Sequence, residues 1–135
     1  MFQWFKKKTD KEKKPAAERE EPQLSEAEKA ALLEKIKAEE TLLAQQQSDQ
    51  EKAVSYEKIG LWYAELDDSD EAIAQLEKSL EAKLSMGEGY KKLMSLYNAK
   101  RAQAARNKDN EAIDYYMAKM DEMRNIAKKL TLSKD

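Results

Sequence analysis

Tyr56-Glu57-Lys58-Ile59-Gly60-Leu61-Trp62-Tyr63 is answered 34 residues on by Tyr90-Lys91-Lys92-Leu93-Met94-Ser95-Leu96-Tyr97. The first stretch continues to Ala72 and Leu76, and the second, with a slip, to Ala112 and Tyr116. A period in this range marks a chain built from stacked supersecondary units, each unable to bury its apolar face alone. Asp67-Asp68-Ser69-Asp70 interrupts the first unit and Asn107-Lys108-Asp109-Asn110 the second, with residues that favour turns and helix N-caps. Apolar residues at helical spacing follow each break: Ala72, Ile73, Leu76 and Leu80, then Ile113, Tyr116, Met117, Met120, Met123, Ala127 and Leu130. Two helix-turn-helix units are therefore expected, over 51–84 and 87–130. Ser85-Met86-Gly87-Glu88-Gly89 separates them, and its glycines suit left-handed caps past a helix end.

Ahead of these units, Ser25-Glu26-Ala27-Glu28 has the spacing of a capping box, in which serine oxygen and glutamate carboxylate each satisfy an orphan backbone N–H. A helix over 25–48 is expected, with Leu32, Ile36 and Leu43 on one stripe flanked by Leu33 and Leu42. Ala38 and Leu42 lie one period before Ala72 and Leu76, which suggests a half-repeat completing the stack, faced by Trp62. Residues 1–24 read differently. Phe2, Trp4 and Phe5 precede Lys6, Lys7 and Lys8, and a mixed-charge run punctuated by Pro15 and Pro22 follows with no amphipathic period, the pattern of a disordered tail. Residues 131–135 read as a short polar tail.

Composition agrees with an all-α chain of about five antiparallel helices. Of 135 residues, 41% are hydrophobic and 39% charged, with three glycines and two prolines, which suits long exposed helices and leaves little material for strands. Cysteine and histidine are absent. That removes disulfides, thiolate zinc sites, imidazole bases and the Ser-His-Asp and Cys-His arrangements, so a non-enzymatic role without cofactor or metal is expected. No apolar run is long enough to span a bilayer or serve as a secretory signal, and a cytoplasmic address is expected.

The first unit resembles the tetratricopeptide repeat, a 34-residue helix-turn-helix reading Trp-x2-Leu-Gly-x2-Tyr, then Ala-x3-Phe. Here Tyr56-x2-Ile59-Gly60-x2-Tyr63 is followed by Ala72-x3-Leu76. The second unit is similar but has Met94 at the glycine position, and six extra residues between Tyr97 and Ala112 predict a hairpin lengthened on both helices. No proline closes either unit. The resemblance implies a protein-binding adaptor or scaffold whose inner face holds a peptide, on Glu57, Leu61, Ala64 and Glu65 from one unit and Lys91, Ser95 and Asn98 from the next. It does not reproduce the lysine and asparagine clamp that some members of the family use for a C-terminal carboxylate.

Three further surfaces are expected to carry function. Lys100, Arg101, Arg106 and Lys108 form a basic ridge that could meet an acidic protein segment or, as the second choice, the phosphates of RNA or a ribonucleoprotein. Phe2, Trp4, Phe5, Lys6, Lys7 and Lys8 combine interfacial aromatics with a basic flank, which suits reversible contact with a partner or with an anionic membrane surface at its inner leaflet. Met117, Met120 and Met123 give the last helix an adaptable face, open to self-association if left uncovered. Asp67-Asp68-Ser69-Asp70-Glu71 lacks the spacing of a calcium loop and reads as a capped turn.

Overall fold

Short polar side chains decide where the helices start. The computed structural model describes residues 23–132. These form α1 Glu26–Leu43, α2 Asp49–Glu65, α3 Ser69–Ala82, α4 Glu88–Arg106 and α5 Asn110–Leu132, with no strand among the described residues. The fold is therefore all-α, with the five helices read from the periodicity. The capping box forms: Glu28 N–H donates to Ser25 Oγ at 3.1 Å, and Ser25 N–H to Glu28 Oε1 at 2.8 Å. Ser48 Oγ accepts from Glu51 N–H at 3.1 Å to open α2, and Asp68 Oδ1 from Glu71 N–H at 3.2 Å to open α3. Asp109 Oδ1 accepts from Ala112 N–H at 3.1 Å in the first turn of α5. Each such cap contributes about 1 kcal/mol.

The two hairpin turns share one geometry. Leu66-Asp67-Asp68 joins α2 to α3 and Asn107-Lys108-Asp109 joins α4 to α5, with Asp67 at φ 64° and Lys108 at φ 56°. Asp68 N–H donates to Tyr63 O and Asp109 N–H to Ala104 O, both at 2.9 Å, while Asp67 and Lys108 N–H reach Ala64 O and Ala105 O. These are the two paired bonds of a Schellman ending, which satisfies carbonyls that a helix end would otherwise orphan.

Turn and tyrosine ladder nevertheless keep different periods. Asp67 and Lys108 are 41 residues apart, against 34 for the ladder. Both helices of the second hairpin are longer than those of the first, 19 and 23 residues against 17 and 14, while its loop is no longer; between ladder tyrosine and turn, α4 carries about two turns more than α2. Relative to the turns, Tyr97 occupies the place of Tyr56, and Ala104 that of Tyr63. Because seven residues nearly complete two turns, the shift keeps the same stripe facing inward.

The glycines before α4 also differ from expectation. No glycine among the described residues has positive φ, and α3 ends instead at Lys83 in extended backbone. Gly87 is the N-cap of α4 and offers it no side-chain bond. The Glu57 carboxylate of α2 supplies one, accepting from Gly89 N–H at 2.6 Å. A Cβ on Gly89 would lie 2.7 Å from Glu57 Oε2 and 2.8 Å from its Cγ, so the glycine makes room for the cap.

The packed unit begins at Ala31, within α1. At Gly60 α2 lies tight against α3, where a Cβ would stand 2.7 Å from Leu76 Cγ. Ile59, Ala72 and Leu76 are buried there, and Ser79 Oγ donates across the pair to Ala53 O at 2.8 Å. Leu76, Leu80, Leu93, Tyr97 and Met123 form one cluster through α3, α4 and α5. Each fully buried aliphatic side chain of this kind contributes about 1.5–3 kcal/mol relative to exposure.

On α1 the inward residues are Leu32, Ile36 and Glu39, whose carboxylate accepts from Ser55 Oγ at 2.8 Å. Gln46 Oε1 lies 3.0 Å from the same hydroxyl. Trp62 does meet this helix, with Lys35 Nζ 5.9 Å from its ring centroid. The half-repeat register does not form: Ala38 is exposed and Leu42 is 48% exposed, whereas Ala72 and Leu76 are buried. Setting Glu39 against Ser55 turns the Leu32, Ile36, Leu43 stripe inward and Leu42 out.

Candidate functional site

The expected inner-face residues are not equivalent to one another in the structure. Glu57 is half-buried and engaged in capping α4, and Leu61 packs against the α3–α5 core cluster. Ala64 is half-buried, and Glu65, Lys91, Ser95 and Asn98 are exposed. On the basic ridge, Lys100 Nζ lies 2.7 Å from Asp70 Oδ1, and that bond holds the ammonium above the usual lysine range against the opposing effect of burial. Arg101 Nε donates to Asn98 Oδ1 at 3.1 Å, while Arg106 and Lys108 are exposed. The ridge is continuous in sequence, yet one of its cations is held by an aspartate from another helix. Phe2, Trp4, Phe5, Lys6, Lys7 and Lys8 lie outside the described residues, as does most of the tail expected over 1–24.

The methionine face divides. Met123 is buried, Met120 half-buried and Met117 51% exposed, with Tyr115 exposed beside it. Tyr115 and Tyr116 meet edge to face at 4.9 Å between centroids, and Tyr116 stands 6.2 Å from Tyr97. Of the ladder tyrosines, Tyr90 and Tyr97 pack in or against the core and their hydroxyls find partners. Tyr90 Oη donates to Met123 O at 2.8 Å, tying the start of α4 to α5, and Tyr97 Oη donates to Glu77 Oε2, tying α4 to α3.

Beside that last bond is an open groove of about 210 Å³. Its floor is Leu93 and Tyr97 on α4. One wall is Glu77, Leu80 and Glu81 on α3 with Leu84 from the segment just after it, and the other is Lys119, Glu122, Met123 and Ile126 on α5. The α5 wall uses positions i, i+3, i+4 and i+7, the spacing that brings side chains onto one face over two helical turns, while α3 gives i, i+3 and i+4 over about one turn before it ends. Apolar residues line the depth, and three carboxylates and one ammonium stand at the rim.

The rim is electrostatically knit. Lys119 Nζ lies 3.7 Å from Glu77 Oε2 and 3.5 Å from Glu122 Oε1, and 5.9 Å from the ring centroids of Tyr97 and Tyr115. Burial pulls the Lys119 ammonium down, but Glu77 and Glu122 outweigh it and hold it above the usual range. Burial and the bond to Glu77 push the Tyr97 phenol far above its ordinary value, so it is a neutral donor and not a nucleophile. This groove has no signature of its own in sequence, because its apolar residues share the spacing of core stripes and its rim charges follow no local motif. The signal available was the i, i+3, i+4, i+7 spacing that recurs over 77–84 and 119–126. No protein family, curated protein or solved structure matches the chain.

Proposed function

We propose that this chain is a non-enzymatic protein-binding module of helical-repeat type, an adaptor that holds a segment of another protein. The observation that carries this reading is the groove between α3 and α5, whose apolar depth and charged rim suit a protein side chain entering from outside. The two hairpins with identical turns support the repeat resemblance, since a recurrent unit is how such scaffolds extend a binding surface. The alternative of an RNA-associated factor is weakened by the pairing of Lys100 with Asp70. Membrane proximity and a cytoplasmic address remain part of the proposal. No described helix is long and apolar enough to cross a membrane, and the aromatic-basic tip would supply a peripheral contact.

Photo-crosslinking tests the assignment. A crosslinking residue at Glu81 on the groove wall, or at Lys91 on the exposed side of α4, is introduced into the full chain in its native cells. Protein adducts at position 81 are the expected result. Nuclease-sensitive adducts at either position, without protein adducts, would establish the nucleic-acid reading instead.

A further inference from the structure

Resting on the protein-binding reading, we infer that the α3–α5 groove takes one kind of occupant: a cationic amphipathic helix of a partner protein. Four observations converge on it. The α5 wall presents residues at i, i+3, i+4 and i+7, Lys119, Glu122, Met123 and Ile126, and the facing wall presents Glu77, Leu80 and Glu81 on α3 with Leu84 from the segment just after it. Along α5 the slot runs from Lys119 to Ile126, two helical turns or roughly 10 Å, which is the length over which a docking helix places its own i, i+3, i+4 and i+7 anchors. A partner strand would need a sheet edge to pair with, and the described residues form no strand.

Size is the second observation. About 210 Å³ lies below the roughly 300 Å³ at which small-molecule and cofactor pockets begin, so the slot suits side-chain anchors projecting from a helix. Third, the walls are already fixed. Tyr97 is held by Glu77 and Lys119 by Glu77 and Glu122, so the groove stands open without a partner to shape it. Met123 at its centre is unbranched and can adjust to the anchor that enters.

Charge decides the sign of the occupant. Glu77, Glu81 and Glu122 face a single ammonium, Lys119, which two of them already hold. The rim is left with an excess of negative charge, and Glu81 is exposed on the lip. Lysines or arginines flanking apolar anchors would meet this excess as the anchors leave water. A helix with glutamates in those places would bring like charges together across the rim.

The probe is a synthetic helix of about 14 residues with leucine and tryptophan at i, i+3, i+4 and i+7 and lysines elsewhere, compared with the same peptide carrying glutamates. Amide resonances of the isotopically labelled full chain are followed during titration. Shifts centred on Leu80, Leu84, Met123 and Ile126 are expected, with the lysine peptide at least about tenfold tighter than the glutamate peptide. The exposed Glu81→Lys should weaken the lysine peptide several-fold while the melting temperature holds, and Lys91→Glu should leave it unchanged. Equal affinity for the two peptides, indifference to the rim substitution, or shifts centred on Lys91 and Ser95 would overturn the inference. It is also overturned if groove resonances of the free chain move with protein concentration, or on replacing Phe2, Trp4 and Phe5 by serine. Those results assign the groove to a second copy or to the chain's own N-terminal segment. Protein adducts at position 81 with no lysine-peptide binding would sink the cationic helix and leave the protein-binding reading standing.

Discussion

The Glu57 carboxylate accepts the backbone N–H of Gly89 at 2.6 Å, so the first turn of α4 is capped by a side chain from α2. A cap of this kind is normally local, and here it ties the second hairpin to the first. Alanine at position 89 would gain helix propensity but drive Glu57 out of its position, because the added Cβ meets Oε2 and Cγ at 2.7 and 2.8 Å. We therefore expect Gly89→Ala to be close to neutral in the native chain, the lost cap of about 1 kcal/mol offsetting a similar propensity gain. In a Glu57→Ala background the same change should stabilise by several tenths to about 1 kcal/mol. A double-mutant cycle in urea checks this, and a coupling near zero would show that the two residues act independently.

Gly60 has no comparable freedom. Its nearest neighbours for an added Cβ are Leu76 Cγ and Cδ2 at 2.7 and 2.8 Å and Leu76 backbone N at 3.2 Å, and Leu76 is 1% exposed. The leucine cannot swing into solvent as Glu57 can. Gly60→Ala should destabilise by about 1–3 kcal/mol despite alanine's better helix propensity. Equilibrium unfolding of this variant measures the cost, and unchanged stability would mean that α2 and α3 are packed less closely here than the geometry requires.

These two glycines mark where sequence and structure part company. Gly60 belonged to a legible pattern, Tyr56-x2-Ile59-Gly60-x2-Tyr63 followed by Ala72-x3-Leu76, and the structure sets it against Leu76. Gly89 was not, because a cap supplied by Glu57 from 32 residues away leaves no local pattern. The helices were readable from capping residues and apolar stripes. The register between hairpins was not, since shifts of seven residues preserve the inward stripe and let the ladder run at 34 while the turns run at 41. The basic ridge failed as a unit for a similar reason, Asp70 reaching Lys100 from another helix. The groove needed the fold itself, because its two walls come from α3 and α5, with α4 as the floor between them.

Both hairpin turns hold a non-glycine residue in the left-handed region, Asp67 at φ 64° and Lys108 at φ 56°. An L-residue there costs about 1–2 kcal/mol, which glycine avoids at the expense of a more flexible unfolded chain. Lys108 is exposed, and the bonds drawn by this turn come from its backbone and from Asp109. Lys108→Gly should therefore raise stability by roughly 0.5–1 kcal/mol. A higher urea midpoint with an unchanged slope would support this, and a lower midpoint would indicate that the lysine side chain contributes more than its backbone conformation costs.

The remaining prediction concerns alkaline pH. Burial and the bond to Glu77 raise the Tyr97 phenol above its ordinary value of 10.0, and Tyr63 is raised by burial with Glu40, Glu71 and Asp68 nearby. Lys100, through Asp70, is raised above 10.5, as is Lys119, where Glu77 and Glu122 outweigh the opposing effect of burial. All four groups keep their protons in the folded chain to higher pH than in the unfolded one. The folded state then binds more protons once pH passes the unfolded values, so their contribution is complete below about pH 10 and is lost as pH rises through the raised ones. Urea midpoints should hold level from pH 7 to 9 and fall steeply above about pH 10. Tyr97→Phe removes the most strongly shifted of these groups, and its alkaline limb should be shallower by up to about 1.4 kcal/mol per pH unit. Its lower stability at neutral pH, from the lost bond to Glu77, displaces the curve without changing that slope. Parallel alkaline limbs for the two proteins would show that the Tyr97 phenol is not coupled to folding.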